Sequence, residues 1–129
     1  MKLIKSSLLA LSLLASASMT LAGEIKTYDQ KTFDALTQAG KPVLLHIHAT
    51  WCPTCKTQIP IVSDLMGQPA YKDVTTLMID FDTSKPLLKT YKVTMQSTLI
   101  GYKGTKEVAR SVGDTSRDGI EKLVKSTVQ

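Results

Sequence analysis

Val43-Leu44-Leu45-His46-Ile47-His48 is a nearly unbroken apolar run of strand length. Such a segment has no polar side to offer water, so it reads as a strand covered on both faces. The chain around it must therefore supply helices to both sides of a sheet. Val74 to Phe81 is a second run of the same kind. With 129 residues, there is room for one domain around these two strands.

The remaining elements follow from local signals. Ile25, Thr27 and Tyr28 suggest a short opening strand. Asp29 can cap a helix reaching about Ala39, with Phe33 and Leu36 at helical spacing, and Gly40 and Pro42 end it. Ala49 to Pro53 connects the first apolar run to a second helix through Ile59, Ile61, Val62 and Leu65, with Pro60 inside it as a kink and Gly67 as its stop. Thr83 or Ser84 can cap a short helix holding Leu87, Leu88 and Tyr91. Thr98 to Tyr102 and Glu107 to Val112 form a hairpin about the Lys103-Gly104-Thr105 turn. Thr115 or Ser116 opens a last helix with Ile120, Leu123 and Val124 inward. The order βαβαβαββα implies an α/β fold, a mixed central sheet flanked by helices.

The first 22 residues have a different character. Lys2 and Lys5 precede the apolar run Leu8 to Leu14, and Thr20-Leu21-Ala22 places small residues at −3 and −1 of a cut after Ala22. This is the layout of a secretory leader, with residues 23–129 as the folded domain and a periplasmic or secreted destination; a cut after Ala17 and an uncleaved N-terminal anchor are the alternatives. The apolar run is shorter than the roughly 20 residues that span a bilayer, so no stable membrane span is expected after cleavage. Without Lys2 and Lys5, the formal charge falls from +5 to +3. The remaining cations are scattered with little aromatic interleaving, which excludes a nucleic-acid site.

Cys52 and Cys55 stand where a strand feeds a helix, in Trp51-Cys52-Pro53-Thr54-Cys55-Lys56. A bridge between residues three apart closes almost no loop, so it adds little as a staple. It makes sense as chemistry. Free N–H groups and the dipole at a helix start favour an anion, and hence the Cys52 thiolate. Cys55 lies one turn in, able to close a disulfide or resolve a mixed one. Pro53 suits the first helical turn and stiffens the loop. A Cys-x-x-Cys pair is also half of many zinc sites, but no second pair exists here.

At these residues the chain resembles the thioredoxin superfamily, and the resemblance covers essentially all of residues 23–129. Ala49 to Lys56 is similar to the active-site segment, Pro60 to the proline of its helix, and Asp80-Phe81-Asp82 with Tyr91-Lys92-Val93 to the next strand end and helix. Tyr102-Lys103-Gly104, Glu107-Val108 and Val112-Gly113 are similar to the closing hairpin. The resemblance implies a thioredoxin-like fold, with Cys52 attacking and Cys55 resolving. It implies that Trp51 shields the disulfide and that Pro53, Thr54, Gln96, Ser97 and Thr98 contact the partner.

Two positions depart from the family. Ser97, in Val93-Thr94-Met95-Gln96-Ser97-Thr98, stands where the family carries a cis-proline. A cis bond before a non-proline residue costs about 3 kcal/mol, so a trans bond is expected before Ser97. In the family that loop pairs with the substrate backbone and keeps metal off the cysteines. His46 replaces a buried aspartate that moves a proton to or from the resolving thiol, and Met78 replaces that aspartate's lysine partner. His46 can carry a proton or simply pack. His48 shares its strand face and reads as an aromatic-sized packing group. Together with the cysteines, the two histidines would complete a Cys2His2 zinc set, although strand spacing aims them poorly. Asp80 and Asp82 read as one helix cap and one solvated carboxylate. Lys56 reads as a surface cation near the site.

The expected function is an extracytoplasmic thiol–disulfide oxidoreductase, a monomer without a cofactor. It would exchange disulfides with partner proteins and an upstream redox partner through Cys52 and Cys55. The lack of an added histidine between the cysteines and of a dimerisation domain favours a reductase-like role. The alternative is a metal or iron–sulfur binding module on the same scaffold, with a redox-inert docking module as a third reading.

Overall fold

A computed structural model describes residues 22–129. The expected leader lies outside the described residues except for Ala22. The elements are β1 (Glu24–Thr27), α1 (Gln30–Gln38), β2 (Pro42–His48), α2 (Pro53–Met66), β3 (Thr75–Asp80), α3 (Lys85–Thr90), β4 (Thr98–Lys103), β5 (Lys106–Val112) and α4 (Arg117–Ser126). The expected order is present throughout. A 3-10 turn at Pro69–Tyr71, which the sequence reading did not include, joins α2 to β3.

The sheet runs β1-β3-β2-β4-β5. β3 lies parallel to both β1 and β2. β4 is antiparallel to β2 and β5. β2 is thus central, and its side chains alternate between two cores. Val43, Leu45 and Ile47 join Phe33, Leu77, Ile79, Leu88, Tyr91 and Ile100 under α1 and α3. Leu44 joins Val62, Leu65, Leu99, Ile120, Leu123 and Val124 under α2 and α4. This two-sided burial is what the apolar run demanded. His46, two residues from Leu44, falls on the α2 side.

Capping follows the sequence closely. The Asp29 carboxylate accepts the Thr32 N–H, and the Ser116 hydroxyl accepts the Gly119 N–H. Gly40 takes a φ of +75° just past α1, a conformation costly for a side-chain-bearing residue. Ser84 occupies the cap position of α3 without a side-chain bond. Neither aspartate at the end of β3 caps α3, the helix-cap role expected of one of them. Asp80 accepts the Asp82 and Thr83 N–H groups, so it caps the turn and not the helix.

Candidate active site

The turn between β2 and α2 carries Trp51, Cys52, Pro53, Thr54 and Cys55. β2 ends at His48, so the chain leaves the centre of the sheet and enters a helix within a few residues. Cys52 is the N-cap of α2, with Pro53 in the first turn as expected. Its Sγ accepts the Cys55 N–H at 3.1 Å, taking the place that a serine or aspartate oxygen fills in other caps. Cys52 and Cys55 are joined in a disulfide with their Cα atoms 5.3 Å apart. Both are buried, packed with Ala49 and edged by Phe81. Lys56 follows on the exposed side of the helix.

Over this apolar seat, Trp51 leaves 55% of its surface exposed. Its ring is nonetheless held: Nε1 donates to Asp82 Oδ2 at 2.8 Å. Asp82 is exposed, as expected of a solvated carboxylate, and it also anchors the indole. No local signal couples residues 31 apart.

His46, on β2, is fully buried. Its Nε2 is 3.0 Å from Gln58 Oε1, while Nδ1 is buried with no hydrogen-bond partner. Burial lowers the imidazole pKa from 6.5 to about 4. The Gln58 bond opposes that shift, and the nearby His48 adds to it. His46 is thus a neutral ring at neutral pH. His48 sits 6.4 Å away, centroid to centroid, and is only half-buried. Among the described residues, no three His, Cys, Asp or Glu side chains converge as a metal cluster would, so the Cys2His2 set is not assembled.

Gln58 is the residue that sequence reasoning missed. It is fully buried, three residues after Cys55 on the inward side of α2. Its Nε2 donates to the Ser97 carbonyl at 3.1 Å and the Asp114 carbonyl at 2.9 Å. One amide thus ties the active-site helix to β2, to the loop before β4 and to the loop before α4. The available signal was a glutamine within the buried series Cys55, Gln58, Val62 and Leu65.

The Ser97 loop approaches through this tie. No peptide bond among the described residues is cis, so the bond before Ser97 is trans as expected. Ser97 is 5% exposed and adopts a φ of +60°, a left-handed conformation that no local signal announces. Its carbonyl also accepts the Gly113 N–H, and its Oγ donates to the Gln96 carbonyl at 2.5 Å. The Thr98 hydroxyl donates to the Met95 carbonyl at 2.7 Å. Gln96 and Thr98 thus flank Ser97 in a loop whose own hydroxyls occupy two of its carbonyls. Met95, at 49% exposure, presents an apolar side chain from this loop.

Comparison with known proteins agrees with this geometry. The family model described as Thioredoxin matches residues 24–126. A thioredoxin from Chlamydia trachomatis serovar D is 38% identical over 82 residues, 64% of this chain and 78% of the relative. A thioredoxin from Mycobacterium bovis is 33% identical over 89 residues, 69% of this chain and 76% of the relative. Among solved structures, a protein called Trxlp from Edwardsiella tarda superposes with a TM-score of 0.76 at 37% identity, covering 78% of this chain and 98% of that one. A disulfide capping the helix that leaves the central strand is the working part these relatives lead one to expect, and with it the chain belongs to the thioredoxin family as a thiol–disulfide oxidoreductase.

Proposed function

We propose that this chain is an exported, monomeric dithiol reductant that passes electrons from an upstream redox partner to disulfides of extracytoplasmic proteins. The observation that carries the chemistry is the position of Cys52 as N-cap of α2, bridged to Cys55. Export is supported by residues 1–22, with their lysines, apolar run and small residues before Gly23. Among the described residues, no helix is long and apolar enough to cross a membrane.

In the reaction, the Cys52 thiolate attacks one sulfur of the partner's disulfide and expels the other as a thiolate. Cys55 then attacks Cys52 Sγ, closing the Cys52–Cys55 disulfide and releasing the second partner thiol. Two electrons pass from the dithiol to the partner. His46 takes the Cys55 proton as the thiolate forms and returns it to the departing thiolate. A negative charge developing beside the imidazole offsets part of the penalty that burial places on its cation. Trp51, Pro53, Thr54 and the Gln96-Ser97-Thr98 loop form the surface that receives the partner.

Equilibration of residues 23–129 against glutathione buffers, with thiols counted by alkylation and metal assayed on the same sample, tests this reading. A reversible couple near −270 mV is expected of a reductant, and one near −120 mV would make the chain an oxidant. Thiols masked by bound metal would replace the exchange reading with the metal-module reading. Fractionation with N-terminal sequencing tests export, the expected product beginning at Gly23.

A further inference from the structure

We propose that Gln58 is the positioning residue that sets which nitrogen of His46 is free to take a proton. The inference rests on the reading of His46 as the proton carrier for Cys55.

The orientation of the Gln58 amide is fixed by its surroundings. Its nitrogen faces two carbonyls, Ser97 O and Asp114 O, which can only accept. A flipped amide would bring an oxygen against both. The oxygen must therefore face His46, and an oxygen there requires a donor. Nε2 of His46 carries the hydrogen. In the neutral ring the lone pair is then on Nδ1, the atom that has no partner although fully buried. An unpaired buried acceptor is costly, and its retention here calls for an explanation.

Placement supplies one. Cys55 and Gln58 are three residues apart on one helix, so they are neighbours on its inward face. Both side chains are fully buried. The residue that holds Nε2 is thus adjacent to the resolving thiol on α2, and through it His46 of β2 is tied to the helix that carries Cys55. The proton leaves Cys55 Sγ for Nδ1 as Cys55 attacks Cys52 Sγ in the mixed disulfide. The Cys55–Cys52 bond forms, the bond to the partner sulfur breaks, and the departing thiolate takes the proton back from Nδ1. Proton and charge balance without another reactant. Were Nδ1 the protonated atom, the ring would hold a hydrogen where an acceptor is needed.

The titratable groups around His46 are few. His48 lies on its own strand, with Asp80 of β3 in register beside it. The cysteines lie at the head of α2. The register partners of His46 itself, Met78 on β3 and Leu99 on β4, do not titrate.

The test is the tautomer and the pH profile together, on the purified chain labelled with 15N-histidine. In the reduced wild type, His46 is expected as the Nε2–H tautomer at neutral pH. Gln58→Met removes the acceptor at nearly the same volume and should give mixed tautomers. The rate of reducing a model protein disulfide should fall about two- to tenfold, the equilibrium worth of one hydrogen bond, with the acid limb of its pH profile displaced. An Nδ1–H wild type overturns the proposal without recourse to any variant. So does an unchanged tautomer or pH profile in Gln58→Met when His46→Asn alters that profile. If His46→Asn leaves the profile unchanged, the proton-carrier reading itself fails and the proposal falls with it.

Discussion

The sulfur of Cys52 accepts the backbone N–H of Cys55 at 3.1 Å. The cap of the helix and the attacking atom of the reaction are thus the same atom. When the disulfide opens, this N–H remains aimed at Cys52, and the free N–H groups of the first turn favour its thiolate. Cys55 lies a turn deeper and gains nothing comparable. In the reduced protein Cys52 should therefore react with iodoacetamide first, and at lower pH than a free thiol. Cys52→Ser should abolish disulfide exchange. Cys55→Ser should leave a stable mixed disulfide with the partner, visible by mass. Modification of Cys55 before Cys52 would refute this order of roles.

Trp51 is the only tryptophan in the chain, so its fluorescence reports on this site alone. Its indole is exposed but pinned by Asp82. Asp82→Ala should free the ring and shrink the fluorescence difference between oxidised and reduced protein. KM for a protein disulfide should rise about two- to fivefold, the worth of one largely exposed hydrogen bond. Stability should change by less than about 1 kcal/mol, because the contact lies at the surface. A loss confined to kcat would contradict a docking role for the ring.

The Ser97 backbone yields opposite expectations for two substitutions. At a φ of +60°, serine sits in a conformation that costs an L-residue about 1–2 kcal/mol. Proline, locked near −65°, cannot adopt it. Ser97→Pro should therefore lower the denaturant midpoint unless the loop rebuilds, even though proline is the residue that the family carries there. Ser97→Gly enters the same conformation freely but gives up the hydroxyl bond to Gln96. Its stability should stay within about 1 kcal/mol of wild type. Urea melts of both variants decide the matter. A stabilising proline would show that the left-handed serine is not the loop's preferred state.

What could be read from the sequence is what is local or periodic. The runs at 43–48 and 74–81 gave the central strands because no other element accommodates them. The cysteine pair at a strand–helix junction located the chemistry, and Asp29, Gly40 and Ser116 declared their caps. β1 was the harder case: all four residues are exposed at the sheet edge, so burial left it no pattern. The unread part is long-range. Gln58 bonds partners 12, 39 and 56 residues away, and Trp51 one 31 away. Such pairings depend on how the sheet brings the loops together, and the sequence places no mark on either partner. The conformation of Ser97 belongs here too, since Gln58 and Gly113 hold its carbonyl from two different elements.

The buried histidine makes stability depend on pH in a defined window. His46 titrates near 6.5 when unfolded, but burial lowers it to about 4 in the fold. Between these values the unfolded chain binds the extra proton, so stability rises with pH. The contribution is fully present above about pH 6.5 and is lost as the pH falls through about 4. Its full size is about 3 kcal/mol, from 1.36 kcal/mol per pH unit. The carboxylates of Asp29 and Asp80 are also held below their ordinary 3.8 by hydrogen bonds from backbone N–H groups. Their stabilisation is present above 3.8 and fades only at lower pH, beneath the histidine window. Urea unfolding of the oxidised protein at half-unit steps from pH 7 to 4 should therefore show a progressive loss in wild type. His46→Leu places an apolar side chain of similar bulk in the same seat and should flatten the curve over that range. If wild type and His46→Leu lose stability in parallel, the loss comes from other groups, and His46 is not the neutral ring that its burial requires.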